Sequence, residues 1–172
     1  MKKKSIIAVI LMSMLVFVGC GGSTEKDNTS DNSSSANTET KGYVMTVQGT
    51  DVAVNAPMAP IVDALGEADK YFESESCAFQ GLDKVYTYGS VVITTYPEDG
   101  KDYVYSIELK DDTVTTKEGA YIGMAKADVV SAYGNATNET EVALVYEKDA
   151  CQLAFILEDG LVKNITYTAI TE

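Results

Sequence analysis

The chain has 172 residues, and its 13 basic residues are all Lys against 26 acidic ones, a formal charge of −13 with no His and no Trp. A charge of this sign repels nucleic-acid phosphates and anionic lipid surfaces, which excludes a DNA- or RNA-binding role. The absence of His removes the usual near-neutral general base, the metal imidazole and any Ser-His or Cys-His nucleophile pair, and most enzyme classes go with it.

Lys2, Lys3 and Lys4 form a basic head, and Ile6 to Val18 is an apolar run broken only by Ser13. That run is too short for an ordinary membrane span and has the flanks of a secretory signal. It ends in Phe17-Val18-Gly19-Cys20, which resembles the lipobox of bacterial lipoproteins; the alternative is an ordinary signal peptide followed by an unrelated Cys. The resemblance implies a signal peptide over 1–19 and lipidation of Cys20, with the chain held on the extracytoplasmic face of the cell membrane. Gly21 is not an inner-membrane retention residue, and the expected envelope is Gram-positive. Segment 20–42 is rich in Ser, Thr, Asn and Gly and reads as a disordered linker, since nothing in it can bury enough apolar surface to offset ordering. As a flexible chain it would span roughly 25 Å.

The remaining 43–172 can bury one core. Tyr43 to Val47 and Asp51 to Val54 read as short strands, with Asn55 as the cap of a helix through Ile61, Val62, Ala64 and Leu65 that Gly66 stops. Segment 69–84 holds an extra strand or loop around Ser76–Gly81. Val85–Tyr88 and Val91–Tyr96 flank a Gly89-Ser90 turn, and Tyr103–Leu109 follows Glu98-Asp99-Gly100. There Ile107 and Leu109 alternate with Ser106 and Glu108, so one face is covered and the other wet. Thr113–Thr116 reads as another short strand. A second helix covers about Lys126–Tyr133 with Gly134 as its stop, then strands Ala143–Glu147, Cys151–Leu157 and Leu161–Ala169.

The second half echoes the first. Residues 61–68 (IVDALGEA) recur as 129–136 (VVSAYGNA), and 85–100 recur without a gap as 145–160. Val104 and Ile107 match Val162 and Ile165 if the second hairpin is two residues tighter. The expected fold is therefore α+β: two tandem helix-plus-antiparallel-hairpin repeats, about 43–112 and 113–172, forming one curved antiparallel sheet with short helices on one face.

Tyr121-Ile122-Gly123-Met124, then Ala125 to Val129 and Tyr133-Gly134, resembles the helix opening of SmpA/OmlA-type lipoproteins and of the β-lactamase inhibitory protein (BLIP-like) superfamily. The stretch Ser76–Lys84 with Tyr86 and Tyr88 is also similar to lipoproteins of Gram-positive anaerobes. The tandem arrangement looks more like the inhibitory protein, and the resemblance implies a concave sheet face that grips a partner. Neither β-lactamase inhibition nor outer-membrane assembly follows, because fold does not carry function.

Of the site candidates, Cys77 and Cys151 either form a disulfide, worth about 2–4 kcal/mol, or are two free thiols; catalysis by Cys77 lacks a His to activate it. Eleven Tyr suggest a recognition face, although Tyr is also simply a good strand residue. With Val85, Ile93 and Ile107 turned to the helices, Tyr86, Tyr88, Thr94, Tyr96, Glu108 and Tyr146 share the open face. The acidic turns around Glu98-Asp99 and Asp111-Asp112 lack calcium-loop spacing, and there is no phosphate-binding loop. No metal or cofactor is implied. The expected function is a non-enzymatic, membrane-anchored binding module for a protein, peptide or envelope ligand; the alternatives are a small envelope hydrolase or redox protein, or an assembly or structural factor.

Overall fold

The computed structural model describes residues 42–171. The expected signal peptide 1–19, the lipidation site Cys20 and the linker up to residue 41 lie outside the described residues. Residue 42, which the sequence assigned to the linker, is bound to the domain: its N–H donates to Asp149 Oδ2 at 2.9 Å.

A small hairpin, β1 (Val44–Val47) and β2 (Thr50–Ala53), stands apart from the main sheet. Helix α1 (Met58–Leu65) follows, then β3 (Lys70–Glu75), β4 (Leu82–Tyr88), β5 (Val91–Glu98) and β6 (Lys101–Leu109). After a loop come α2 (Lys126–Tyr133), β7 (Asn138–Glu139), β8 (Ala143–Lys148), β9 (Cys151–Glu158) and β10 (Leu161–Ala169). The eight strands β3 to β10 form one antiparallel sheet in the order β3-β4-β5-β6-β10-β9-β8-β7, so the protein is a mostly antiparallel α+β structure with two short helices. The segment expected as a strand at 113–116 is a loop, because its Thr-rich run makes turn bonds instead, with Ala120 N–H donating to Thr116 Oγ1.

Each helix has eight residues, too few to stand alone, and is held by packing and by its end. Met58 and Ile61 of α1 and Val129 of α2 are buried against the sheet. Gly66 and Gly134 end the two helices at φ 76° and 79°, a conformation that favours Gly. Their N–H groups donate to Val62 O and Val130 O, both at 2.8 Å. Their carbonyls in turn accept Tyr88 OH and Tyr146 OH, both at 3.1 Å. Asn55 does not cap α1. It sits at φ 62°, its Nδ2 donates to Ala150 O, and its Oδ1 accepts Tyr96 OH.

The segment before each helix also joins the sheet. Asn55 N–H donates to Val104 O and Val104 N–H to Ala56 O; likewise Gly123 N–H donates to Val162 O and Val162 N–H to Met124 O. The β5–β6 and β9–β10 turns are equivalent, Asp99-Gly100 and Asp159-Gly160, but Val104 lies four residues past the first turn and Val162 two past the second, so the second hairpin is two residues tighter on this arm. The bulge shifts with it: it lies at Tyr105 in β6 but at Lys163 in β10, and each extra residue follows the Val that the pre-helix segment holds.

The core lies between one face of this sheet and the α1, α2 and β1–β2 layer. Val91 and Ile93 of β5, Ile107 and Leu109 of β6, Leu153 and Phe155 of β9 and Ile165 and Tyr167 of β10 meet Met45, Val52, Met58 and Val129 there. The two ends of the described chain meet at one turn: Gly42 bonds Asp149, and Ile170 N–H donates to Ala150 O at 2.9 Å.

Candidate functional site

Directly paired residues of neighbouring strands point to the same side, and the register therefore decides which side chains are free. Val85 pairs with Thr94, Thr94 with Ser106, Ser106 with Thr168, and Thr168 with Gln152. The next row runs Thr87, Val92, Glu108, Thr166, Ala154 and Val145. All of these are part-exposed, whereas the residues between them are buried, apart from the half-buried Tyr86. They form the face away from the helices. At its centre Asn164 Nδ2 donates to Glu108 Oε1 at 2.8 Å, Thr166 Oγ1 donates to Asn164 Oδ1, and Lys110 lies 3.2 Å from the same Glu108 oxygen. The surface is small-residued, hydrogen-bonding and slightly apolar.

Thr94 and Glu108 are on this face as expected. Tyr96 joins them, since Thr95 pairs with Val104 towards the core and Tyr96 with Tyr103 away from it. Its ring is nevertheless covered. Phe79, from the β3–β4 loop, lies 5.0 Å from it, Tyr103 stacks at 5.8 Å and Tyr105 meets it edge-on at 6.3 Å. Burial raises the Tyr96 hydroxyl pKa, helped by Glu98 and Tyr103. Tyr103 and Tyr105 were not singled out by the sequence reading; the two-residue turn at Asp99-Gly100, which brings Tyr103 opposite Tyr96, is the signal for the first.

Tyr86, Tyr88 and Tyr146 are on the other side. Tyr86 pairs with Ile93, Tyr88 with Val91 and Tyr146 with Leu153, all core-facing partners. Tyr88 and Tyr146 are buried, and their hydroxyls serve the helix ends rather than a ligand. The assignment failed at Val85, which shares its face with Thr94, not with Ile93. Tyr86 is half-buried beside a groove of about 380 Å³ between α1 and the sheet, lined also by Pro57, Val62, Asp63, Lys101 and Asp102. Burial raises its pKa, while the adjoining Lys84, bonded to Asp102 at 2.7 Å, is held charged chiefly by that bond.

Of the two alternatives for Cys77 and Cys151 the structure has the free thiols, and the disulfide is not formed. Cys77 is exposed in the β3–β4 loop, and Cys151 opens β9 facing the core. From β4 to β9 is four strand steps, about 19 Å at the usual spacing, whereas a disulfide needs Cα atoms within about 7 Å. Burial pushes the Cys151 thiol pKa up, the reverse of what a nucleophile needs. Among the described residues no group of three or more His, Cys, Asp or Glu side chains is placed to hold a metal ion, and no helix is long and apolar enough to cross a membrane. No protein-family model matches the chain, and neither a curated protein nor a solved structure matches it significantly.

Proposed function

We propose that the chain is a lipid-anchored, extracytoplasmic binding module made of two copies of one helix-plus-hairpin unit, and that a protein or peptide partner seats on the open face of its sheet. The observation that carries this reading is the pair of side-chain rows, Val85 to Gln152 and Thr87 to Val145, which stay part-exposed while the opposite face is closed by helices. Duplication is supported by the paired hydrogen bonds. Tyr88 to Gly66 matches Tyr146 to Gly134, and the Asn55–Val104 link matches Gly123–Val162. A sheet so doubled presents one face of twice the width. The resemblance to the inhibitory-protein superfamily adds the expectation that this face is concave.

The experiment is cross-linking and pull-down from intact cells with the wild-type chain and a Thr94→Arg/Thr168→Arg variant. Two long cations in the middle of the row displace a partner that seats there without touching the core. A partner lost in the variant supports the reading; a folded variant that keeps every wild-type partner refutes it. Cys20→Ser tests the anchor: the substituted chain is expected in the medium, and retention on the membrane contradicts lipidation at this residue.

A further inference from the structure

The two outer strands of the sheet are finished differently. β7 at one end has two residues, too few to accept another strand. β3 at the other end has six, all exposed, with Tyr71 at 52% and Phe72 at 63%. No Pro interrupts it, and among the described residues nothing pairs with its outer side.

Its backbone polarity follows from one bond. Ser76 N–H donates to Gly81 O, and alternation then turns the N–H and C=O groups of Ser74, Phe72 and Lys70 to β4. Those of Tyr71, Glu73 and Glu75 point outward. The side chains divide as well: Tyr71, Glu73 and Glu75 lie on the helix side, because Tyr71 pairs with Tyr86, and Lys70, Phe72 and Ser74 lie on the open side.

The charge of this edge is mostly acidic: Lys70, at the start of β3, stands against Asp69, Glu73, Glu75 and Asp83. Lys84, opposite Glu73, is committed to Asp102. Among the described residues no salt bridge reaches Asp69, Glu73, Glu75 or Asp83. A second copy paired about Glu73 would set Glu73 against Glu73, which opposes self-pairing in that register. We propose that β3 receives an extended basic segment of a partner protein as a ninth strand. Main-chain bonds to Tyr71, Glu73 and Glu75 supply affinity, with Lys or Arg on the glutamate side alternating with apolar residues beside Phe72. This edge site is separate from the open-face site.

The test uses the full chain and two blocked octapeptides, one alternating Lys and Val, the other Glu and Val. The Lys–Val peptide is expected to slow amide exchange at Tyr71, Glu73 and Glu75, and the Glu–Val peptide to leave it unchanged. Glu73→Pro removes an outward N–H and no bond to β4, and it abolishes the slowing while circular dichroism is retained. Glu73→Lys/Glu75→Lys keeps the main chain and weakens the Lys–Val peptide about tenfold, 1.4 kcal/mol. Equal binding of both peptides, or slowing only elsewhere, overturns the proposal. A dimer without peptide that Glu73→Pro dissolves also overturns it, in favour of a second copy. Thr94→Arg/Thr168→Arg is expected to leave peptide binding intact, which separates failure here from failure of the open-face reading.

Discussion

Replacing Tyr167 by Phe removes a hydroxyl that is fully enclosed and, among the described residues, the only buried side-chain polar atom without a hydrogen-bond partner. The nearby Tyr133 hydroxyl is engaged with Thr116 Oγ1 and Glu118 Oε2, both at 2.7 Å. A buried unsatisfied hydroxyl costs about 1–3 kcal/mol. Its removal leaves the ring in place and opens a void the size of one oxygen, which takes back a few tenths of a kcal/mol. Tyr167→Phe is therefore expected to stabilise the domain by about 1–2 kcal/mol, and for a domain of about 130 residues to raise Tm by roughly 3–8 °C. Urea unfolding monitored by Tyr fluorescence reads this as a higher midpoint at unchanged slope. A loss of 1 kcal/mol or more refutes the reasoning, since it means that the hydroxyl is bonded in solution.

The opposite sign is expected for Tyr88→Phe and Tyr146→Phe, each of which leaves a helix-terminal carbonyl unpaired and costs about 1 kcal/mol by the same unfolding assay; the two losses add in the double variant, because the sites are in different halves. Gly42→Ala places a Cβ 2.8 Å from Cys151 Cβ and 3.1 Å from Lys148 O, and destabilises by about 1–3 kcal/mol in urea. Maleimide labelling with peptide mapping is expected to modify Cys77 in the native protein and Cys151 only after unfolding. The Tyr133, Tyr146 and Tyr167 hydroxyls have raised pKa values in the fold, with burial the largest cause. Their contribution to stability is present below the unfolded Tyr value near pH 10 and is lost as pH rises above it. Urea midpoints are therefore expected to hold up to about pH 9 and then fall steeply, with Cys151 beginning the fall.

The sequence carried the elements well and the faces poorly. Gly66 and Gly134 marked the helix ends because a left-handed stop has a residue signature. The Ile107, Leu109 and Cys151 to Leu157 alternation marked the covered side because burial selects apolar residues every second position. Val85-Tyr86-Thr87-Tyr88 carries no such contrast, since either pair can be core or surface in a sheet that buries some Tyr rings, Tyr88 and Tyr146 among them, and leaves others such as Tyr71 exposed. The two-residue turn at Gly89-Ser90 held the answer: it sets Tyr88 opposite Val91, and Asp149-Ala150 sets Lys148 opposite Cys151, which places Tyr146 beside Leu153. The aromatic corner of Phe79, Tyr96, Tyr103 and Tyr105 was illegible for another reason, as it depends on a loop folding back and on a bulge at Tyr105. The exposed β3 edge is a property of strand order, which local pattern does not encode.

Gly42 and Ile170 both bind the turn Asp149-Ala150, so the described chain is nearly a closed ring. Joining these ends by a few glycines and opening the exposed Asp112–Thr113 bond gives a circular permutant in which α2 to β10 precede β1 to β6. Every strand pairing survives that exchange, and the order in which the halves are synthesised becomes an experimental variable.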